Sequence, residues 1–275
     1  MQDLPVPPLC HTSPSKGLTT PMYPNPLKQK LKAGNLVLGT ALPALVNHIA
    51  TMTSKTDIDF LWIDTEHWPD GVESVGAVPV LIRQQGVAPM IRVAWNDPAL
   101  IKKAYDAGAV AVMVPQVDTA EAAALAVQHA YYPPLGKRGV SPNWPLVAGE
   151  DWPNVIRTAN DETVLILQIE SVEAYENLDA IAQVPGIDVL FVGPTDLAAS
   201  LGHIMQNDAP AVQEIMKEIP RRLQGSGIAV GTTLVSIDEI QEKLDWGYTF
   251  MNVGNPLGYG LTALSGHLAT LRNRA

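Results

Sequence analysis

Eight short apolar, β-rich runs recur between residues 36 and 254, and helix-forming stretches stand between them. The runs are "LVLGT" (36–40), "FLWID" (60–64), "APMIRV" (88–93), "VAVMVP" (110–115), "TVLILQIE" (163–170), "DVLFVG" (188–193), "IAVGTT" (228–233) and "YTFMNVG" (248–254). Segments such as "DPALIKKAYDAG" (97–108) and "DTAEAAALAVQHAYY" (118–132) carry helical spacing between them. A strand that is apolar at nearly every position is covered on both faces, which is the condition of a parallel sheet flanked by helices. Eight such units within one domain predict an α/β (β/α)8 TIM barrel over residues 27–275. An open dinucleotide-binding sheet would carry G-x-G-x-x-G after an early strand, and the chain has none.

Composition narrows the function. The chain is 47% hydrophobic and only 17% charged, with a formal net charge of −10. Such an acidic surface disfavours a nucleic-acid or anionic-membrane partner. The single Cys10 forbids an internal disulfide and a thiolate metal cluster, which suits a cytoplasmic protein. Residues 1–26 hold seven prolines and read as an extended leader without a fold of its own. The stretch "YPPLGKRGVSPNWPLVAGEDWPN" (132–154), between the fourth and fifth strands, reads as a long ordered loop over the barrel mouth.

In a barrel of this kind the active site lies at the C-terminal ends of the strands. The second strand ends in Asp64, Glu66 and His67, the third in Arg92, and the fourth in Pro115 and Gln116. The fifth ends in Gln168 and Glu170, and the sixth in "VGPTDL" with Gly193, Thr195 and Asp196. Thr232, Thr233, Asn252 and Asn255 complete the ring. None of the ten lysines stands at a strand's C-terminal end, so an imine mechanism lacks its nucleophile. Glu170 and Asp196, on neighbouring strands, suit two oxygen ligands of a hard divalent cation. Each equally suits a cap on the helix that follows it. The Gly193–Pro194 pair exposes main-chain amides to an anion at a helix start. Asp64 is near enough in sequence to orient the His67 imidazole. Arg92, at the end of an apolar strand, requires an anion: Glu66, a ligand, or both. Lys137 and Arg138 on the long loop are candidates for an acidic substrate or simply solvated. His48, His129 and His267 lie in helical stretches without a second ligand, and His203 stays unassigned.

"IDTEH", "IRV", "VPQVDTAEAA", "YPPLGKRGV", "LQIES" and "VGPTDLAASLG" together resemble the metal-dependent pyruvate aldolases of the HpcH/HpaI family, from residue 27 to the C-terminus. The resemblance implies a barrel of the phosphoenolpyruvate/pyruvate-binding type that cleaves or forms 4-hydroxy-2-oxo acids. It implies Mg2+, Mn2+ or Co2+ on Glu170 and Asp196, with pyruvate and an aldehyde as the partners. It further implies Arg92 on the pyruvate oxygen and proton transfer by His67 oriented by Asp64. Gln168 would support the metal, and the amides of Gly193 and Thr195 would take the pyruvate carboxylate. A homohexamer, a trimer of dimers exchanging C-terminal helices, is implied too; "GLTALSGHLATLRNRA" could supply the exchanged segment. Relatives often have Gly or Ala where this chain has Thr65 and Thr195, which bears on the acceptor aldehyde. The same superfamily offers two alternatives: an acyl-CoA lyase of the citrate-lyase-like branch and a decarboxylating enzyme like macrophomate synthase.

Overall fold

The computed structural model describes residues 25–273; Cys10 and most of the proline-rich leader lie outside them. Eight parallel strands close into a barrel in sequence order. They are β1 (Val37–Ala41), β2 (Phe60–Asp64), β3 (Ala88–Arg92), β4 (Ala111–Val114), β5 (Val164–Ile169), β6 (Val189–Val192), β7 (Ala229–Thr233) and β8 (Phe250–Asn252). Each falls within an apolar run of the sequence or overruns it by one residue, because a doubly covered strand leaves its mark on every position.

Alternation divides each strand between two cores. Leu61, Ile63, Ile91, Val112, Leu165 and Leu190 face the helices and join the larger cluster. Phe60, Trp62, Met90, Met113, Ile166, Phe191 and Phe250 face inward. Phe60 stacks on Phe250 at 4.5 Å, and Phe191 meets both Phe250 and Trp62 edge-on. Gly39 makes this column possible, since a Cβ there would stand 2.4 Å from the Phe60 ring. Burying each of these rings is worth about 1.5–3 kcal/mol.

The N-terminal face is closed by the helix Pro26–Lys32, capped by Asn25, whose side chain accepts from the Leu27 and Lys28 N–H groups. Its Leu27 joins the inner cluster. Lys28 Nζ donates to Asp188 Oδ1 at 2.6 Å and to the Thr163 carbonyl at 2.7 Å, and Asp188 Oδ2 accepts from the Leu165 N–H.

The long insert corrects the sequence reading. It begins after the helix Ala120–Ala130, which has already carried the chain from the end of β4 back to the opposite face. An αβ connection therefore lies at the N-terminal face of its own barrel, not over its mouth. Tyr132 pairs with Asn160, and Trp144 lies over Arg83, which itself donates to the carbonyls of Gly108 and Ala109 just before β4. Arg138 is buried between the rings of Tyr105 and Tyr132, at 4.4 and 4.0 Å. Lys137 and Arg138 are thus removed from the mouth of their own barrel.

Candidate active site

The inward face of each strand continues upward into polar residues. Asp64 is two residues beyond Trp62, Arg92 two beyond Met90, and Gln168 two beyond Ile166. Strand parity alone turns all three into the barrel mouth. Glu170, two further on, follows the same parity just past the end of β5.

Arg92, only 7% exposed, is the centre of the arrangement. Its Nε and Nη2 donate to the two oxygens of Asp64 at 2.9 and 2.6 Å, a fork-on-fork pair. Its Nη1 faces Glu66 Oε2 at 3.0 Å and Gln168 Oε1 at 3.4 Å. Beneath it lies the Trp62 ring, 4.7 Å from the guanidinium carbon. Thr65 ties the strand ends together, with its N–H and hydroxyl both donating to the Arg92 carbonyl.

This geometry corrects one role. Asp64 is committed to Arg92 through both oxygens and does not orient His67. The carboxylate beside the imidazole is Glu66, with its Oε2 3.8 Å from His67 Nε2. The reason is reach: a β2-end carboxylate faces inward toward β3, while His67 has already left the strand and its side chain is 61% exposed.

Glu170 is buried at 6%. Its Oε1 accepts the Gln116 N–H at 2.8 Å and its Oε2 accepts from Gln168 Nε2 at 2.6 Å. Gly193 is small because Glu170 passes there; a Cβ would stand 2.6 Å from Glu170 Oε2. Asp196 is the third residue of the helix Pro194–Ser200 and is exposed on the same rim. Neither carboxylate of the proposed metal pair accepts a side-chain cap bond, and Gly193 as N-cap makes none either. Thr195 is exposed, and its hydroxyl accepts from Asn207 Nδ2 at 3.2 Å.

The electrostatics follow from these contacts. Burial works against charge on Asp64, but the Arg92 hydrogen bonds and charge outweigh it and hold the carboxyl below its usual range. Burial raises Glu66, and Asp64 and Asp196 add to the rise against the pull of Arg92 and His67. Burial pushes Glu170 up to about 7 in spite of the Gln116 N–H, and the charges of Asp196 and Glu66 reinforce it. Glu66 Oε2 is buried without a hydrogen bond. Four carboxylates, Asp64, Glu66, Glu170 and Asp196, therefore crowd one rim with a single guanidinium among them.

Two residues escaped the sequence reading as site members. Gln116 appeared only as a strand-end residue; its φ of 52° aims its N–H at Glu170, and nothing in the sequence marks a left-handed glutamine. Trp62 was legible through parity, two residues before Asp64 on the same face.

The closed barrel, with charged side chains at the C-terminal ends of its strands, is the class of fold on which its carbon–carbon lyase relatives are built. The chain belongs to the HpcH/HpaI aldolase/citrate lyase family, whose model matches residues 39–259. It is 36% identical over 252 residues to a 2-keto-3-deoxy-L-rhamnonate aldolase of Salmonella gallinarum, covering 90% of this chain and 94% of the relative. Among solved structures, an HpcH/HpaI aldolase/citrate lyase family protein of Burkholderia cenocepacia J2315 is 32% identical and superposes with a TM-score of 0.84, over 90% of this chain and 99% of the other. Macrophomate synthase is 28% identical with a TM-score of 0.77, over 90% of each chain.

Proposed function

We propose that the protein is a divalent-metal-dependent aldolase that cleaves 4-hydroxy-2-oxo acids to pyruvate and an aldehyde, or joins them. The observation that carries this reading is the Glu170 carboxyl, buried and repelled by Asp196 and Glu66, facing the rim opposite a guanidinium held flat by Asp64. Mutual repulsion of that kind is relieved by a cation, so the donor set fits a hard divalent ion such as Mg2+, Mn2+ or Co2+. Glu170 and Asp196 would hold it. Among the described residues no group of three or more His, Cys, Asp or Glu side chains is placed for a metal, which leaves the remaining positions to substrate oxygens and water. When bound, such an ion is a Lewis acid toward a 2-oxo acid.

The chain's own residues do the rest. Asp64 takes the Nε edge of Arg92, and the Nη1 edge, directed between Glu66 and Gln168, donates to the pyruvate 2-oxo oxygen as negative charge develops there. Gln168 keeps Glu170 in place through its 2.6 Å bond. The Gly193 N–H is already given to the Ile169 carbonyl, so the amides of Thr195 and Asp196, in the first turn of a helix and lacking intrahelical acceptors, take the pyruvate carboxylate instead. His67, beside Glu66 and open to solvent, accepts the proton from the pyruvate methyl carbon through water and returns it on cleavage. The acyl-CoA alternative loses the two loop residues the sequence offered it, because Lys137 and Arg138 stand at the other end of their own barrel.

Assembly follows from the helix Pro256–Arg272. None of its residues is buried, yet Leu257, Leu261, Leu264, Leu268 and Leu271 are all more than 40% exposed. Such a stripe is covered by another copy, consistent with a homohexamer that exchanges C-terminal helices. No helix among the described residues is long and apolar enough to cross a membrane, and with the single Cys10 we assign the protein to the cytoplasm.

The test is retro-aldol turnover of 4-hydroxy-2-oxo acids followed by pyruvate release. Chelation should abolish it and Mg2+, Mn2+ or Co2+ restore it. Pyruvate trapped on the protein by borohydride would overturn the mechanism, and turnover of oxaloacetate alone would favour decarboxylation.

A further inference from the structure

At the N-terminal face a second set of charged groups is buried where the proposed reaction does not use them. A cleft between the insert and the barrel is lined by Arg83, Arg138, Tyr105, Tyr132, Trp144 and Glu162, among others. It measures about 420 Å3 with its open mouth, but the cavity open to water is only about 40 Å3, the space of about three waters. Both arginines are 6% exposed. Arg83 lies on Trp144 and donates to the Gly108 and Ala109 carbonyls. Arg138 is sandwiched by two tyrosine rings, and its Nε is buried without a hydrogen-bond partner. Among the described residues it forms no ion pair within 4.0 Å. The tyrosine faces orient its plane but do not neutralise it. Glu162, the cleft's one carboxylate, already accepts the Asn25 N–H. Asp106 feels the Arg138 charge, yet stands beyond 4.0 Å, and its own Oδ1 is buried without a partner. Arg138 is therefore a buried guanidinium in this cleft with no carboxylate in contact.

A buried guanidinium without an anion is costly, and its planar fork fits an oxyanion. We propose that this cleft binds a small oxyanion, a phosphate or carboxylate group, with Arg138 as its principal ligand. The small volume limits the ligand to a few heavy atoms or to the anionic end of a larger molecule. Bound there, the anion would tie the insert to the barrel wall.

Calorimetric titration of the full-length, metal-free protein tests this, with inorganic phosphate in one arm, acetate in another and NaCl matching ionic strength. One saturable site per chain is expected, with a dissociation constant on the order of 1 mM. Phosphate well above acetate identifies a phosphate group; equal binding identifies a carboxylate. Arg138→Gln should weaken binding by about tenfold or more, and Arg138→Lys by less, because the charge stays while the fork is lost. Arg92→Ala should leave the binding unchanged, which separates this cleft from the mouth. Asp106→Asn preserves the stacked arginine and removes a competing charge, so it should tighten binding. It decides the matter even if the Arg138 variants fail to fold. No saturable heat beyond NaCl, or loss of binding in Arg92→Ala, overturns the proposal. So does an Asp106→Asn variant that melts lower and stays silent to phosphate, which would mark a water-bridged Asp106–Arg138 pair.

Discussion

Two buried sets of charges, one at each end of the barrel, are satisfied in opposite ways. At the N-terminal face Lys28 and Asp188 form a closed set: the ammonium meets one carboxylate oxygen and a carbonyl, and the other oxygen takes a main-chain N–H. At the C-terminal face Arg92 is shared between Asp64 and Glu66, Glu66 Oε2 lacks a hydrogen bond, and Glu170 is raised to about 7. A saturated charge fastens parts of the chain to one another. An unsaturated one waits for something from outside. The difference separates a structural pair from a chemical site within one fold, and the buried Arg138 sets an unsaturated charge at the N-terminal face as well.

The comparison breaks most visibly at Arg92. Arg92→Ala should slow metal-dependent exchange of the pyruvate methyl protons with D2O by about 10²–10³, the usual cost of one donor on a developing oxyanion. Arg92→Lys should recover little of it. Proton NMR reads the exchange, and a normal rate in Arg92→Ala would deprive the C-terminal face of its assigned chemistry.

The complementary change at the other end should act on folding alone. Asp188→Asn leaves the Lys28 ammonium buried without its counter-charge, at a cost of about 3 kcal/mol in urea unfolding. Turnover per folded molecule should not move. If turnover falls as far as stability, the two ends are coupled.

Gly193→Ala sharpens the contrast within the chemical end. The new methyl group displaces Glu170 Oε2 while leaving every charge in place, so metal affinity should fall about tenfold by titration. An unchanged affinity would show that Glu170 binds no metal in this position.

The smallest effect is a pH slope in metal-free protein. The Glu170 carboxyl rises from an ordinary 4.5 to about 7 on folding, so the folded chain binds its proton more tightly than the unfolded chain. The stability this contributes is fully present below about 4.5 and is lost as pH rises through about 7. Between pH 5 and pH 8 the parent should lose on the order of 1–3 kcal/mol that Glu170→Gln does not lose. Parallel slopes in urea melts of the two proteins would remove the burial of charge at Glu170.

Much of this was legible in the sequence because a barrel writes its inner and outer faces into every strand. The eight runs, the strand-end residues and the absence of a strand-end lysine all follow from that. Partner choice was not legible. Asp64 stands three residues before His67, but pleat direction gives it to Arg92, 28 residues away. The position of the insert was legible and misread: a segment after a helix and before a strand belongs to the N-terminal face, whatever its length or proline content. The hydrogen bond from Gln116 to Glu170 depends on a backbone angle that no residue pattern announces.

The aromatic column of Phe60, Phe250, Phe191 and Trp62, admitted by Gly39, has an effect beyond packing. It packs the space between the two charged ends with buried rings, like an insulator between two terminals. Substitutions that reshape the barrel mouth therefore need no compensating change at Lys28 or Asp188. For anyone redesigning this enzyme toward another acceptor, the barrel divides into a part to vary and a part to leave alone, and the boundary runs through four rings.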